Sequence, residues 1–161
     1  MRKIYLSLCI LFVSAFAFGQ SITDTAAFLG KGGYDNYIKI DDKAIVSDFS
    51  ADYLSRVPNQ ALVIKERDQP KMLIALPANM SNAKPAPGTY NVKSGNKLGV
   101  KKGSGEAKLD IKPNFISTDD GGTIHVLYYN ELYWFIGENI NVVDSKTNET
   151  HKISFKISKF I

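Results

Sequence analysis

Cysteine is nearly missing from this chain. Among 161 residues there is one cysteine, Cys9, one tryptophan, Trp134, and two histidines, His125 and His151. A single thiol excludes a disulfide framework within the chain. Two histidines without an HExxH spacing fall short of the three or four convergent ligands that zinc needs. The chain also has no GxSxG elbow, no GxxxxGK[ST] loop and no GxGxxG turn. Their absence removes the usual signatures of serine hydrolases, P-loop enzymes and dinucleotide enzymes. The acidic pairs Asp41-Asp42 and Asp119-Asp120 do not continue into the alternating oxygen ligands and distal Glu of an EF-hand. Turn chemistry accounts for both, since Asp and Gly favour local hydrogen bonds and positive φ. No metal and no cofactor is expected, and the balance is against an enzyme. One enzymatic alternative stays open: a hydrolase whose carboxylates meet only in space, as glycosidase pairs do.

Charge of one sign is also scarce. Twenty basic residues face 16 acidic ones, for a net charge of +4. Arg2 and Lys3 belong to an expected leader, so the remainder carries 18 − 16 = +2. A nucleic-acid binder shows a basic patch or stripe; here the lysines are mostly scattered between acids, and no nucleic-acid partner is expected.

The long apolar run is confined to the N-terminus. Ile4 to Phe18 follows Arg2-Lys3 and holds no charge. It is shorter than the roughly 20 residues of a membrane span and suits the h-region of a secretory signal. Ala17-Phe18-Gly19 puts small residues at the −3 and −1 positions, which predicts cleavage before Gln20. A cut before Phe18 is the alternative site, and an uncleaved anchor is the alternative reading. Cys9 sits in mid-run after Leu8, whereas a lipoprotein cysteine ends the run after a small residue. Lipidation is therefore not expected, and Cys9 leaves with the signal. Residues 1–19 are thus read as a signal peptide and 20–161 as one domain that is periplasmic, on the outer surface or secreted, with no stable membrane span. Without a thiol that domain depends on its core. A chain of about 150 residues can supply one by burying about 68–70% of its unfolded surface.

Within the mature chain the hydrophobic period is mostly two. Ser21 to Leu29 predicts one short helix, ended by the Gly30 to Gly33 joint. Tyr37 to Ile40 and Ala44 to Phe49 predict a strand pair around a tight turn. Ser50 to Asn59 reads as a helical turn or a bent connection stopped by Pro58. Ala61 to Glu66 and Lys71 to Pro77 predict a hairpin with a loop of about four residues. Pro87 to Val92, Lys108 to Ile116, Asn139 to Val143 and His151 to Ile157 predict further strands. Pro113 lacks an N–H, so its strand is expected at an edge or with a bulge. Short strands with turns about every 8–12 residues predict an all-β fold, an antiparallel β-sandwich or else a small β-barrel, with one short N-terminal helix.

"TIHVLYYNELYWFIG", Thr123 to Gly137, is apolar on both faces. With Asn130-Glu131 as the turn, Tyr129 faces Leu132, Leu127 faces Trp134 and His125 faces Ile136. Ile124, Val126, Tyr128, Tyr133 and Phe135 share the opposite face. Half-exposed antiparallel sheets normally have one polar face. Either both faces are covered, or one is a recognition surface. Tyr128, Tyr129, Tyr133 and Trp134 are the candidate residues for a ligand or partner. A second candidate is "KSGNKLGVKKGSGEAK", Lys93 to Lys108: a solvated loop, or an anion-contacting flap using Lys93, Lys97, Lys101 and Lys102.

The order "KMLIALP…PGTY…AKLDI…GGTIHV…HKISFKI", together with the leader ending "AFAFGQ", resembles small exported β-sandwich domains of unknown function from Gram-negative bacteria. The resemblance spans roughly Ala44 to Ile157 and implies an envelope or secreted location. The expected function is a non-enzymatic binding module for an envelope protein or glycan. A lipocalin-like carrier of a small apolar ligand, with the aromatic hairpin lining a barrel, is the alternative.

Overall fold

A computed structural model of the chain describes residues 36–46, 48–56, 59–77, 84–95, 99–101 and 104–161. The chain divides into two units, Met1–Asp35 and Asn36–Ile161. The expected leader and the expected helix at Ser21 to Leu29 lie outside the described residues. The second unit is all-β. Its strands are β1 (Tyr37–Ile40), β2 (Lys43–Val46), β3 (Ser50–Arg56), β4 (Asn59–Glu66), β5 (Gln69–Pro77), β6 (Gly88–Lys93), β7 (Glu106–Ile111), β8 (Phe115–Ser117), β9 (Thr123–Tyr129), β10 (Leu132–Asp144) and β11 (Thr150–Lys159). Among the described residues no helix is long and apolar enough to cross a membrane.

All strands belong to one sheet, in the order β2-β1-β11-β10-β9-β6-β7-β5-β4-β3. The sheet is mixed. Every pairing is antiparallel except β6 with β7, which run parallel from Asn91↔Glu106 to Lys93↔Lys108. Parallel neighbours need a connection of about a dozen residues or more. The Gly- and Ser-rich stretch between these two strands is that connection, which an expectation of purely antiparallel pairing had not foreseen. The short β8 lies off the main path and pairs with both β7 and β10. Following the ladders from β7 through β8, β10, β9 and β6 therefore leads back to β7. The two ends of the main path, β2 and β3, are joined only by residues 47–49. β3 also lies alongside β11.

Side chains on one face of this sheet form a single buried cluster. It includes Ile38, Leu62, Ile74, Leu109, Ile124, Phe135, Val142, Phe155 and Ile157, all fully buried. Alternation puts them there: Ile153, Phe155 and Ile157 of β11 face the cluster, while Ser154, Lys156 and Ser158 take the opposite face, where Lys156 is buried too. Each fully buried aliphatic or aromatic side chain contributes about 1.5–3 kcal/mol relative to exposure.

Four local readings change in the folded chain. Ser50 to Arg56 is neither helical turn nor bend but strand β3, pairing residue by residue with β4 from Ser50↔Lys65 to Arg56↔Asn59. Ala51 and Tyr53 face the core, which leaves Asp52 and Leu54 outward. The β4–β5 loop is two residues, not four: Arg67 and Asp68 both adopt positive φ, 48° and 65°, the geometry of a type I′ turn. The run through Pro113 is two strands, since Lys112 to Asn114 form a turn between β7 and β8. Finally, Asn139 to Val143 is not a separate strand but the second half of β10. A bulge makes this possible. Gly137 pairs with Phe155 and Ile140 with Ile153, so Glu138 and Asn139 together oppose Ser154. Asn139 takes φ 51°, and its N–H donates to Ser154 Oγ at 2.9 Å. The extra residue resets the alternation. Tyr133 and Phe135 face the core before the bulge, Ile140 and Val142 after it. The bend also moves β10 from β9, its neighbour as far as Gly137, to β8, its neighbour from Val142.

Candidate functional site

The aromatic hairpin is β9–β10. Its register is the one set by a two-residue Asn130-Glu131 turn: Tyr129↔Leu132, Tyr128↔Tyr133, Leu127↔Trp134 and His125↔Ile136. Asn130 and Glu131 have φ of 51° and 65°, the left-handed pair that a type I′ turn requires. Its twist matches that of the strands, so a weak turn dipeptide still closes the hairpin.

From Tyr133 to Gly137 both faces of β10 are buried. Tyr133 and Phe135 enter the core cluster, while Trp134 and Ile136 point the other way and are each 1% exposed. Trp134 Nε1 donates to the Tyr129 carbonyl at 3.3 Å. The Lys156 ammonium lies 5.5 Å from the centre of the indole, in cation–π range. Gly137 ends this segment. A Cβ there would lie 2.6 Å from Ile140 Cδ1 and from Phe155 Cε1, so the bulge packs directly onto the glycine backbone.

The tip differs. Tyr128 is 55% exposed and Tyr129 41%. They point to opposite faces, and the Tyr128 ring leans on Tyr133 with centroids 4.9 Å apart and planes at 46°. Of the four candidate aromatic residues, the fold thus brings Tyr128 and Tyr129 to the surface and places Tyr133 and Trp134 beneath them. Behind Tyr133 stand two further tyrosines that pattern reading had not singled out. Tyr53 donates its hydroxyl to Gln60 Oε1 at 2.5 Å, and Tyr90 to the Ala86 carbonyl at 2.6 Å. Burial, reinforced by Tyr90 and Tyr133, pushes the Tyr53 phenol well above its ordinary range, and burial raises Tyr90 as well. Both serve as fixed hydrogen-bond donors.

The basic segment is tied down at its start. Lys93 Nζ lies 2.9 Å from Asp120 Oδ1, and that hydrogen bond raises the lysine above its usual range. The Ser94 amide donates to Asp119 Oδ1 at 3.0 Å and the Gly95 amide to the Ser117 carbonyl at 2.9 Å. Ser117, 1% exposed, accepts from the Leu109 amide at 3.0 Å and donates to the Lys93 carbonyl at 2.6 Å. A side chain at Gly95 would overlap the Leu109 carbonyl oxygen. Lys101 is exposed, and its carbonyl accepts from the Ser104 amide at 3.1 Å. Lys97 and Lys102 lie outside the described residues. The two histidines stand apart. His125 Nδ1 meets Thr89 Oγ1 at 3.0 Å, and His151 Nδ1 meets Asp41 Oδ2 at 2.7 Å. Among the described residues no three His, Asp or Glu side chains converge as metal ligands would.

Two surface hollows are formed by turns. One, of about 220 Å3, is lined by Asp41, Asp42, Asn139, Lys152 and Ser154. The other, of about 460 Å3, is lined by Gly95, Asp110, Lys112, Pro113, Asn114, Ile116 and Ser145. The first brings the Asp41-Asp42 turn against the β10 bulge. No sequence signal connects those segments, because the β1–β11 and β10–β11 ladders make the junction.

No family model matches the chain, and neither a curated protein nor a solved structure does.

Proposed function

We propose that this chain is an exported, non-enzymatic binding module that meets a protein or glycan of the cell envelope with the tip of the β9–β10 hairpin. The observation that carries this reading is the contrast along one hairpin. Tyr133, Trp134, Phe135 and Ile136 are buried, yet Tyr128 and Tyr129 are 55% and 41% exposed beside them. Tyrosine offers a large flat apolar ring with a polar end, suited to stacking on a sugar or filling a partner's pocket. Tyr128 is held at an angle by Tyr133, so part of its ordering cost is met before binding.

We read the scaffold as a partly closed barrel rather than two facing sheets. Its support is the ladder that returns on itself through β8, and the short link between the terminal strands β2 and β3. Phe135, Phe155, Met72 and Ile74 fill the interior, which favours a rigid support for the hairpin over a carrier.

The test is a Tyr128→Ala/Tyr129→Ala double variant. Binding to purified peptidoglycan and to immobilised envelope proteins is measured in parallel with melting. The expected result is a native-like melt with binding lost on one of the two supports. A double variant that binds both as the parent does would overturn the reading.

A further inference from the structure

Asp41 and His151 come from opposite ends of the described chain and meet across the β1–β11 ladder. Asp41 sits in the β1–β2 turn with φ 47°. Its amide donates to the Lys152 carbonyl at 2.8 Å, and the Lys152 amide returns a bond to Asp41 Oδ1 at 2.9 Å. The second oxygen, Oδ2, is 2.7 Å from His151 Nδ1. On the far side of the imidazole, Nε2 is 4.0 Å from Glu149 Oε2 in the loop between β10 and β11. The ring is held edge-on by Phe115 of β8, with centroids 5.2 Å apart. Three segments therefore converge on one side chain of β11 that is 24% exposed.

We propose that His151 is a proton-operated latch that ties the β1–β2 turn to the β10–β11 loop when charged and lets the loop go when neutral. Only the imidazolium carries an N–H on both nitrogens. Charged, it serves Asp41 through Nδ1 and attracts Glu149 through Nε2. Neutral, it has one N–H, which the nearer carboxylate of Asp41 keeps. The bare Nε2 lone pair then faces Glu149. The surrounding charges favour the closed form. Asp41 comes from the β1–β2 turn, Glu149 from the loop and Asp144 from the end of β10, and Lys43 of β2 lies on the Asp41 side. Asp41 and Lys152, on the side of the latch that stays bonded in both states, also line the 220 Å3 hollow.

The hydrogen bond that His151 donates to Asp41, aided by the charges of Asp41, Glu149 and Asp144, holds His151 above the ordinary imidazole range against the opposing effect of burial. The Lys152 amide, then His151, holds Asp41 below the ordinary carboxyl range. A raised histidine contributes fully below its unfolded value of about 6.5 and loses that contribution as pH rises through the folded value. A depressed aspartate contributes above its unfolded value of about 3.9 and loses it as pH falls through the folded one. The latch is therefore closed in mildly acidic solution and opens on the alkaline side.

The experiment is an NMR titration of the His151 ring protons together with hydrogen exchange at the Asn148 amide. That amide donates to the Asp144 carbonyl at 2.8 Å and reports on the loop. His151→Gln assigns the ring signals and removes the switch. Glu149→Gln removes the loop-side charge of the latch without unseating a buried group, because that side chain is 71% exposed. The expected midpoint lies above about 6.5 and falls in both Asp41→Asn and Glu149→Gln. Protection of Asn148, corrected for intrinsic exchange, drops several-fold through the midpoint in the parent and stays flat in His151→Gln. A parent midpoint at or below the ordinary value, a midpoint that neither variant moves, or flat Asn148 protection in the parent would each overturn the latch.

Discussion

Replacing Trp134 by alanine separates burial from exposure within one hairpin. Trp134 faces away from the core cluster, yet it is 1% exposed and its Nε1 is bonded to the Tyr129 carbonyl. Truncating a buried Trp costs about 3–5 kcal/mol. Lys156, 4% exposed, also loses the aromatic face beneath its ammonium. With a urea dependence near 2 kcal/mol per M, a loss of about 4 kcal/mol lowers the unfolding midpoint by about 2 M. Circular dichroism is the proper probe, since the variant has no tryptophan left. Tyr128→Ala is the control. It is 55% exposed and gives up chiefly its ring contact with Tyr133, worth about 0.5–1.5 kcal/mol. Equal midpoint shifts for the two variants would refute the reasoning, because burial on the outer side of β10 would then carry no weight.

Two further changes probe the scaffold. Gly137→Ala forces a methyl group against Ile140 and Phe155; overpacking of this kind costs about 1–3 kcal/mol, and a melt matching the parent would show that the bulge yields freely. Ser117→Ala strands the Leu109 amide and the Lys93 carbonyl; unsatisfied buried groups cost about 1–3 kcal/mol each, and calorimetry should show destabilisation together with faster exchange of the Leu109 amide.

How far the sequence reveals this fold depends on the scale of the pattern. Alternation over a few residues is legible. The β9–β10 register follows from two apolar faces meeting at Asn130-Glu131, and the inward row of β11 from Ile153, Phe155 and Ile157. Features that depend on a distant partner are not. β3 is hard to recognise because it ends the sheet path and leaves Leu54 49% exposed on its outer side, which blurs its alternation. The long β10 looks like two strands because its bulge shifts the phase by one residue. The parallel β6–β7 pair leaves no local trace. The exposed tyrosines were within reach as members of an aromatic run, but which two would be exposed depended on where the sheet ends. The Asp41–His151 pair was out of reach, since "DD" alone looks like any other turn.

The pairing of β1 with β11 has a consequence for the order in which the fold is assembled. Tyr37 to Ile40 pair with Ile153 to Lys156, so a strand made early takes one of its two neighbours from the last part of the chain. During synthesis β1 has only the short β2 beside it, and an isolated two-stranded hairpin is marginal in water. Long-range pairing of this kind also slows folding, because the loop must close before its contacts form. Until β11 is made, β1 and β2 therefore lack the strand that joins them to the rest of the sheet. Removing the chain from Ile153 onward would leave β1, and the turn it carries, without a strand to dock on.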